Sequence, residues 1–324
     1  MLVIGISLRS LTPQKMFKSC STFNADITMW DMSNVKVLGG YGGGAGRGMF
    51  NGCSAFNQPI GLWNLAPTEI RTLFENCYNF NQDLNSWDVS GCSSFFRLFR
   101  NCFGFNGNLS SWDVSSVISL FETFLNNLAF NQDISSWDVS SVTNMNTMFR
   151  NAADFDQDIS SWDINQVSNF NNFMISATGL STANYDAILI GWDAQGAMSY
   201  SGTVNFGGSQ YSCIAEAART SLISKWGGIT DGGLNTSINC NFVSTWDTTQ
   251  AGSASNTVVL PLQTSPAAYS GTIDWGDGTT SPTSYANRTH VYATSGIYTI
   301  TISGQIEGWR QAGVGDCLKL LDVV

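Results

Sequence analysis

The chain has 324 residues, with 14 Lys and Arg, 24 Asp and Glu, one His and a net charge of −10. Charged residues are 12% of the total, about half the roughly 25% usual for globular domains, so surface polarity must come from Ser, Asn, Thr and Gly. One histidine (His290) excludes triads and metal sites built on several histidines, the acidic balance without a Lys/Arg run argues against nucleic-acid binding, and no apolar run reaches the ~18 residues that span a bilayer.

The length suggests two or three domains. Met1–Arg9 lacks the basic region and long apolar stretch of a signal peptide. Met16–Cys20 already belongs to a repeat, so the sequence reads as a cut through a longer protein.

Tryptophan recurs at Trp30, Trp63, Trp87, Trp112, Trp137 and Trp162, settling to an interval of 25 residues. A Phe-Asn pair recurs in step, from Phe23-Asn24 to Phe130-Asn131, and ends as Phe155-Asp156. The clearest repeat, residues 130–150, reads FNQDISSWDVSSVTNMNTMFR. The period lies in the range of leucine-rich repeats. Ile134-x-x-Trp137-x-Val139 has the form L-x-x-L-x-L, with Trp in the place of a Leu. Alternation at Trp137 and Val139 predicts a short strand with both side chains inward. Met145, Met148, Phe149 and Ala152 follow one face of a helix. Each repeat is therefore read as strand, turn, short helix and return loop. Six of them, over 14–175, are expected to stack into a right-handed solenoid of parallel strands. Gly39–Gly44 is read as an exposed loop inserted between coils, and the stretch 39–48 lacks the Gly-Lys-Ser/Thr of a phosphate loop.

These residues resemble the BspA-like leucine-rich-repeat surface proteins, whose repeat centres on F-N-Q-D-[IL]-S-S-W-D-V-S-x-V-x-x-M-x-x-M-F. The likeness covers roughly 14–175 and is closest in the last four repeats. The first repeat has Thr28-Met29, and the second Gly61-Leu62, in place of Ser-Ser, and Pro59 replaces Asp. The resemblance implies surface display or adhesion in bacteria or protists rather than catalysis. Similar arrays also occur in phage-derived sequences.

Over 176–241 the period breaks. Helices are expected at Leu180–Trp192 and Ala215–Lys225, in an α/β cap that closes the array. The motifs N-Y-D-x-x-L-I-x-W and T-D-G-G resemble the closing cap of the same group, and that resemblance implies a disulfide between Cys213 and Cys240.

Residues 242–311 alternate Thr, Ser and Val between Gly/Asp/Pro turns, the pattern of a small all-β immunoglobulin-like sandwich. Trp275-Gly276-Asp277-Gly278, His290-x-Tyr292 and Gly296-x-Tyr298-x-Ile300 resemble the PKD family of extracellular spacer and binding modules. In that reading Asp277 closes a turn, Gly276 and Gly278 permit it, Trp275 and Tyr298 fill the core, and His290 makes a structural hydrogen bond. Asp274 with Asp277 is the candidate for Ca²⁺; no other cofactor or metal is called for. Residues 312–324, with Leu318, Leu320 and Leu321, read as the start of a further repeat region.

Two columns recur through the array. Asp31, Asp88, Asp113, Asp138 and Asp163 each follow a Trp and point outward, flanked by serines such as Ser136 and Ser140. Strands about 5 Å apart would set these carboxylates repelling by just under about 1 kcal/mol in water, so the row must be exposed or neutralised. It is either a set of solvated, turn-capping aspartates or a cation- or glycan-binding strip. Cys20, Cys53, Cys77 and Cys102 share one repeat position, taken by Asn127 and Ala152 further on. Ala there marks a small buried site, so free thiols are expected rather than metal ligands.

No nucleophile–base pair or acid pair appears. The leading expectation is a non-enzymatic, surface-displayed adhesion or interaction protein, extracellular and recognising a host or neighbouring-cell surface protein or glycan. A phage virion structural or appendage protein is one alternative. The accessory region of a larger secreted hydrolase is the other.

Overall fold

The computed structural model describes residues 13–42, 45–178, 180–196, 198–238, 241–263, 269, 271–304, 316 and 319–323. The chain divides into two compact units, Met1–Asn235 and Thr236–Val324.

In the N-terminal unit each repeat is bonded to the next. Parallel bridges join Ser94 to Ser119, Ser119 to Asn144 and Asn144 to Asn169, just downstream of each Trp rather than at it. Trp137 and Val139 do face inward, but turns flank them and no strand runs there. The helix expected over Met145–Ala152 is also replaced by overlapping turns. Its backbone explains why. Thr147 and Asn151 are left-handed, at φ 59° and 57°, which a right-handed helix cannot contain. The N–H groups of Met145, Thr147, Phe149 and Asn151 donate to the next repeat, at Asn169, Asn171, Phe173 and Ile175 (2.9–3.0 Å). The alternate N–H groups bond within the repeat, those of Met148, Arg150 and Ala152 to carbonyls and that of Asn146 to Asn144 Oδ1. All four residues of the apolar face are nevertheless fully buried.

The core is a set of aromatic columns. Phe74, Phe99, Phe124 and Phe149 stack across repeats at 5.6–5.8 Å between ring centroids. Each also stacks on the Phe of its own Phe-Asn or Phe-Asp pair at 3.9–4.1 Å. Such pairs add about 0.5–1.5 kcal/mol beyond burial. Trp63, Trp87, Trp112, Trp137 and Trp162 are at most 3% exposed, whereas Trp30 is only partly buried. Leu could not replace these indoles. Each Trp Nε1 donates to a carbonyl of the preceding repeat, from Trp63 on Ile27 to Trp162 on Ile134 (2.9–3.2 Å).

Of the Gly39–Gly44 loop expected to be exposed, Gly43 and Gly44 lie outside the described residues, and Gly39 and Gly40 are buried. β1 (Tyr41–Gly42) pairs antiparallel with β2 (Ala45–Gly46), next to the following repeat. Thr72 Oγ1 donates to Gly40 O and accepts from the N–H groups of Arg47 and Gly48. A Cβ at Gly48 would lie 2.0 Å from Thr72 O, so no larger residue fits there.

The segment after the repeats continues their bonding. It contains α1 (Thr182–Asp193), β3 (Gly202–Asn205), α2 (Glu216–Trp226) and β4 (Gly227–Thr230), with β3 and β4 parallel. Trp192 of α1 occupies the next place in the indole column, its Nε1 donating to Ile159 O at 3.1 Å. Met174 N–H donates to Asn205 O.

Among the described residues the C-terminal unit has two sheets around one core. β5 (Phe242–Asp247), β7 (Thr272–Asp274), β8 (Thr280–Pro282), β10 (Ile297–Ile302) and β11 (Leu320–Val323) form a sheet in the order β11-β5-β10-β7-β8. β6 (Thr257–Val259) pairs antiparallel with β9 (Thr289–Val291). The core takes Trp246, Ile273, Trp275, Ile300 and Ile302 from the larger sheet's segments and Val258, Leu260 and Tyr292 from those of the smaller. Tyr298, expected in the core, is half-buried and stacks on Tyr292 at 3.7 Å. Leu320–Val323 lies in this sheet, paired with β5, rather than opening a further repeat. Leu318 lies outside the described residues.

Candidate functional site

The outward face of the array is built by the turn chemistry of Asp and Ser. Asp88, Asp113, Asp138 and Asp163 occur at one position in four successive repeats, and all are exposed. Oδ1 of each of the first three accepts from the N–H (3.0–3.1 Å) and hydroxyl (2.6 Å) of the Ser two residues on, Ser90, Ser115 and Ser140. Asp163 accepts the N–H of Asn165 at 3.0 Å. These are Asx turns. The serine hydroxyl, then the serine N–H, holds Asp88, Asp113 and Asp138 below the usual carboxylate range. The row is therefore both exposed and turn-capping. Oδ2 of each aspartate has no hydrogen-bond partner among the described residues.

The flanking serines use their protons internally. Ser136 Oγ donates to Ser110 O at 3.0 Å, and Ser140 Oγ donates to Asp138. Ser161 Oγ donates to Ser135 O in the same manner. What the face offers a partner is thus mainly acceptors: carboxylate and hydroxyl oxygens at one repeat interval. An amine, an N–H or a sugar hydroxyl donor matches it.

The Phe-Asn asparagines have a role that their recurrence signalled but did not reveal. Asn57, Asn81, Asn106 and Asn131 Oδ1 each accept the N–H of the residue one repeat on, ending at Asp156 (2.9 Å). Asp156 takes the Asn position in the last repeat. Its Oδ1 accepts from Ser181 N–H, Ser181 Oγ and Asn184 Nδ2, at the start of α1. A second ladder joins Asn76, Asn101, Asn126 and Asn151 by Nδ2-to-Oδ1 bonds of 2.6–2.7 Å. All four are left-handed, a conformation asparagine tolerates.

In the segment after the repeats, Tyr185 of the N-Y-D motif donates to Asp231 of T-D-G-G at 2.7 Å. Arg219 Nε and Nη2 and the Gly233 N–H donate to the same carboxylate. Burial raises the Tyr185 phenol well above its ordinary value. Cys213 is disulfide-bonded; Cys240, its implied partner, lies outside the described residues.

Cys53, Cys77 and Cys102 are buried and free, while Cys20 is exposed, unlike the rest of its column. Burial pushes the Cys53 thiol up to about 12. Among the described residues no group of three or more His, Cys, Asp or Glu converges to hold a metal ion, and no helix is long and apolar enough to cross a membrane.

In the C-terminal unit Asp277 Oδ1 accepts from the N–H and hydroxyl of Thr279, and Oδ2 lies 2.7 Å from His290 Nε2. Gly276 and Gly278 stand at φ 75° and 89°. The His290 ring stacks on Trp275 at 4.8 Å. Asp274 Oδ1 accepts the Gly276 N–H. Both Asp277 oxygens are therefore engaged within the protein, which argues against a calcium ligand. Desolvation works to raise the Asp277 carboxyl, but the bonds from Thr279 and His290 outweigh it and bring it to about 2. A carboxyl depressed in the folded state contributes stability above its ordinary value near 4 and loses it as pH falls toward 2. Thermal melts between pH 5 and pH 2 should show a steeper loss for the wild type than for Asp277→Asn. Parallel pH profiles would contradict this.

The family model described as "Mycoplasma protein of unknown function, DUF285" matches residues 11–108 and 68–188. No curated protein and no solved structure matches the chain.

Proposed function

The chain belongs to the DUF285 family, and we propose that it is a non-enzymatic interaction protein displayed at a cell surface. In this reading residues 14–175 are a leucine-rich-repeat solenoid of the BspA-like kind, and the C-terminal unit is a PKD-like, immunoglobulin-like spacer. The observation that carries the proposal is the outward row of Asp88, Asp113, Asp138 and Asp163, which presents one free carboxylate oxygen per repeat on a scaffold whose interior is given to packing. The disulfide at Cys213 suits an oxidising, exported location.

The partner is a surface protein or glycan rich in hydroxyl or N–H donors. Each contact is weak, and attachment comes from several acting together. Divalent cations would strengthen it by screening the row.

The test changes all four aspartates to asparagine. Asn keeps the turns, as Asn108 already does by accepting the Ser110 N–H, so each change should stay within about 0.5 kcal/mol in stability. Binding to a glycan array and to whole cells should fall roughly tenfold or more, since hydrogen bonds to charged groups are worth about 1.5–3 kcal/mol. Equal binding by wild type and variant, with and without calcium, would move the site off this face.

A further inference from the structure

The cysteine column has one member whose setting differs. Cys77 and Cys102 are enclosed between repeats, each Sγ donating to a Phe carbonyl of the repeat before, Phe50 and Phe74. Cys53 does the same on Phe17 O at 2.9 Å. That carbonyl also accepts the N–H of Cys20 at 2.9 Å, so Cys53 Sγ lies one shared acceptor away from the Cys20 backbone. The residues before the two cysteines touch as well. Ser19 N–H donates to Asn51 O at 2.7 Å, and a Cβ placed on Gly52 would be 3.2 Å from Ser19 Cα. Cys20 and Cys53 are thus neighbours across the first two repeats. Among the free cysteines of the described residues, Cys20 alone is exposed.

We propose that Cys20 and Cys53 are a modification site, an oxidisable pair that closes into a disulfide and staples the first repeat to the second. The exposed Cys20 thiolate attacks a low-molecular-weight disulfide, forming a mixed disulfide and releasing one small thiol. Cys53 then loses its proton to solvent and its sulfur attacks Cys20 Sγ, releasing the second small thiol. Two protein thiols are oxidised and one small disulfide is reduced to two thiols. Burial of Cys53, which raises its thiol, makes the second step the slow one. Cys77 and Cys102 take no part because no reagent reaches them. The staple closes the loop 20–53 and favours the folded state by restricting the unfolded chain.

Trypsin separates the two cysteines, into peptides 19–36 and 48–71. The full chain is incubated with oxidised glutathione, then alkylated and digested without reduction. The expected product is those two peptides joined, two hydrogen atoms lighter than their sum, with a higher melting temperature for the oxidised protein. Cys53→Ala should stop at a glutathione adduct on Cys20, whereas Cys77→Ala should still form the link. A persistent Cys20 adduct in the wild type, or a Cys20–Cys20 link between two copies, would overturn the proposal.

Discussion

Replacing Trp137 by alanine should destabilise the N-terminal unit by roughly 3–5 kcal/mol, the cost of deleting a large aromatic side chain from a packed core. The indole is 3% exposed, stacks on Trp162 at 6.5 Å and lies against Phe124 and, edge-on, Phe95. Its Nε1 donates to Leu109 O, which also accepts the Trp112 N–H. That carbonyl keeps one partner, so the lost hydrogen bond adds only about 0.5–1.5 kcal/mol. Urea denaturation followed by circular dichroism measures the change. Trp137→Phe should fall between wild type and Trp137→Ala. A loss below about 1 kcal/mol for the alanine variant would mean that the indole column does not hold the repeats together.

The second large effect is expected at Asp231. Its carboxylate takes donors from Tyr185, Arg219 and Gly233 and its side chain is 2% exposed. Asp231→Ala leaves a guanidinium and a buried phenol without their acceptor, which costs about 3–5 kcal/mol where a buried ion pair is broken. The damage should not stop in the segment after the repeats. α1 holds the last repeat through Asp156 and through Trp192 on Ile159, so one cooperative transition should move to lower denaturant. Loss of that segment alone, with the repeats melting at their original midpoint, would contradict this coupling.

The sequence pattern carried the period, the inward residues and the outward Asp row, because burial follows spacing whatever the backbone does. It did not carry the local backbone. Spacing such as Met145, Met148, Phe149 and Ala152 fits a helix and a run of turns equally well. Choosing between them required the left-handed positions. Asn76, Asn101, Asn126 and Asn151 were an available signal, since asparagine favours that region. Arg97, Glu122 and Thr147, equally left-handed, give none, and only their bonds to the next repeat explain them. The N-Y-D and T-D-G-G motifs are visible in the sequence, but the pairing of Tyr185 with Asp231 is not. It joins residues 46 apart, and nothing in either motif names the other. In the sequence Leu320 and Leu321 look alike as a repeat opening or as a sheet edge. The pairing of Leu320–Val323 with β5 decides between them.

From Ser94 to Asn169 each repeat is held by its neighbours at an interval of 25 residues. Excising Ser119–Thr143, one whole interval, leaves Ile118 followed by Asn144 and restores every repeat-to-repeat bond in phase. Thermal melting of the full chain carrying this deletion is the most direct test. A cooperative melt at a somewhat lower temperature is expected, whereas an out-of-phase deletion of Ser119–Ala129 should abolish it. Equal collapse of both variants would contradict the account.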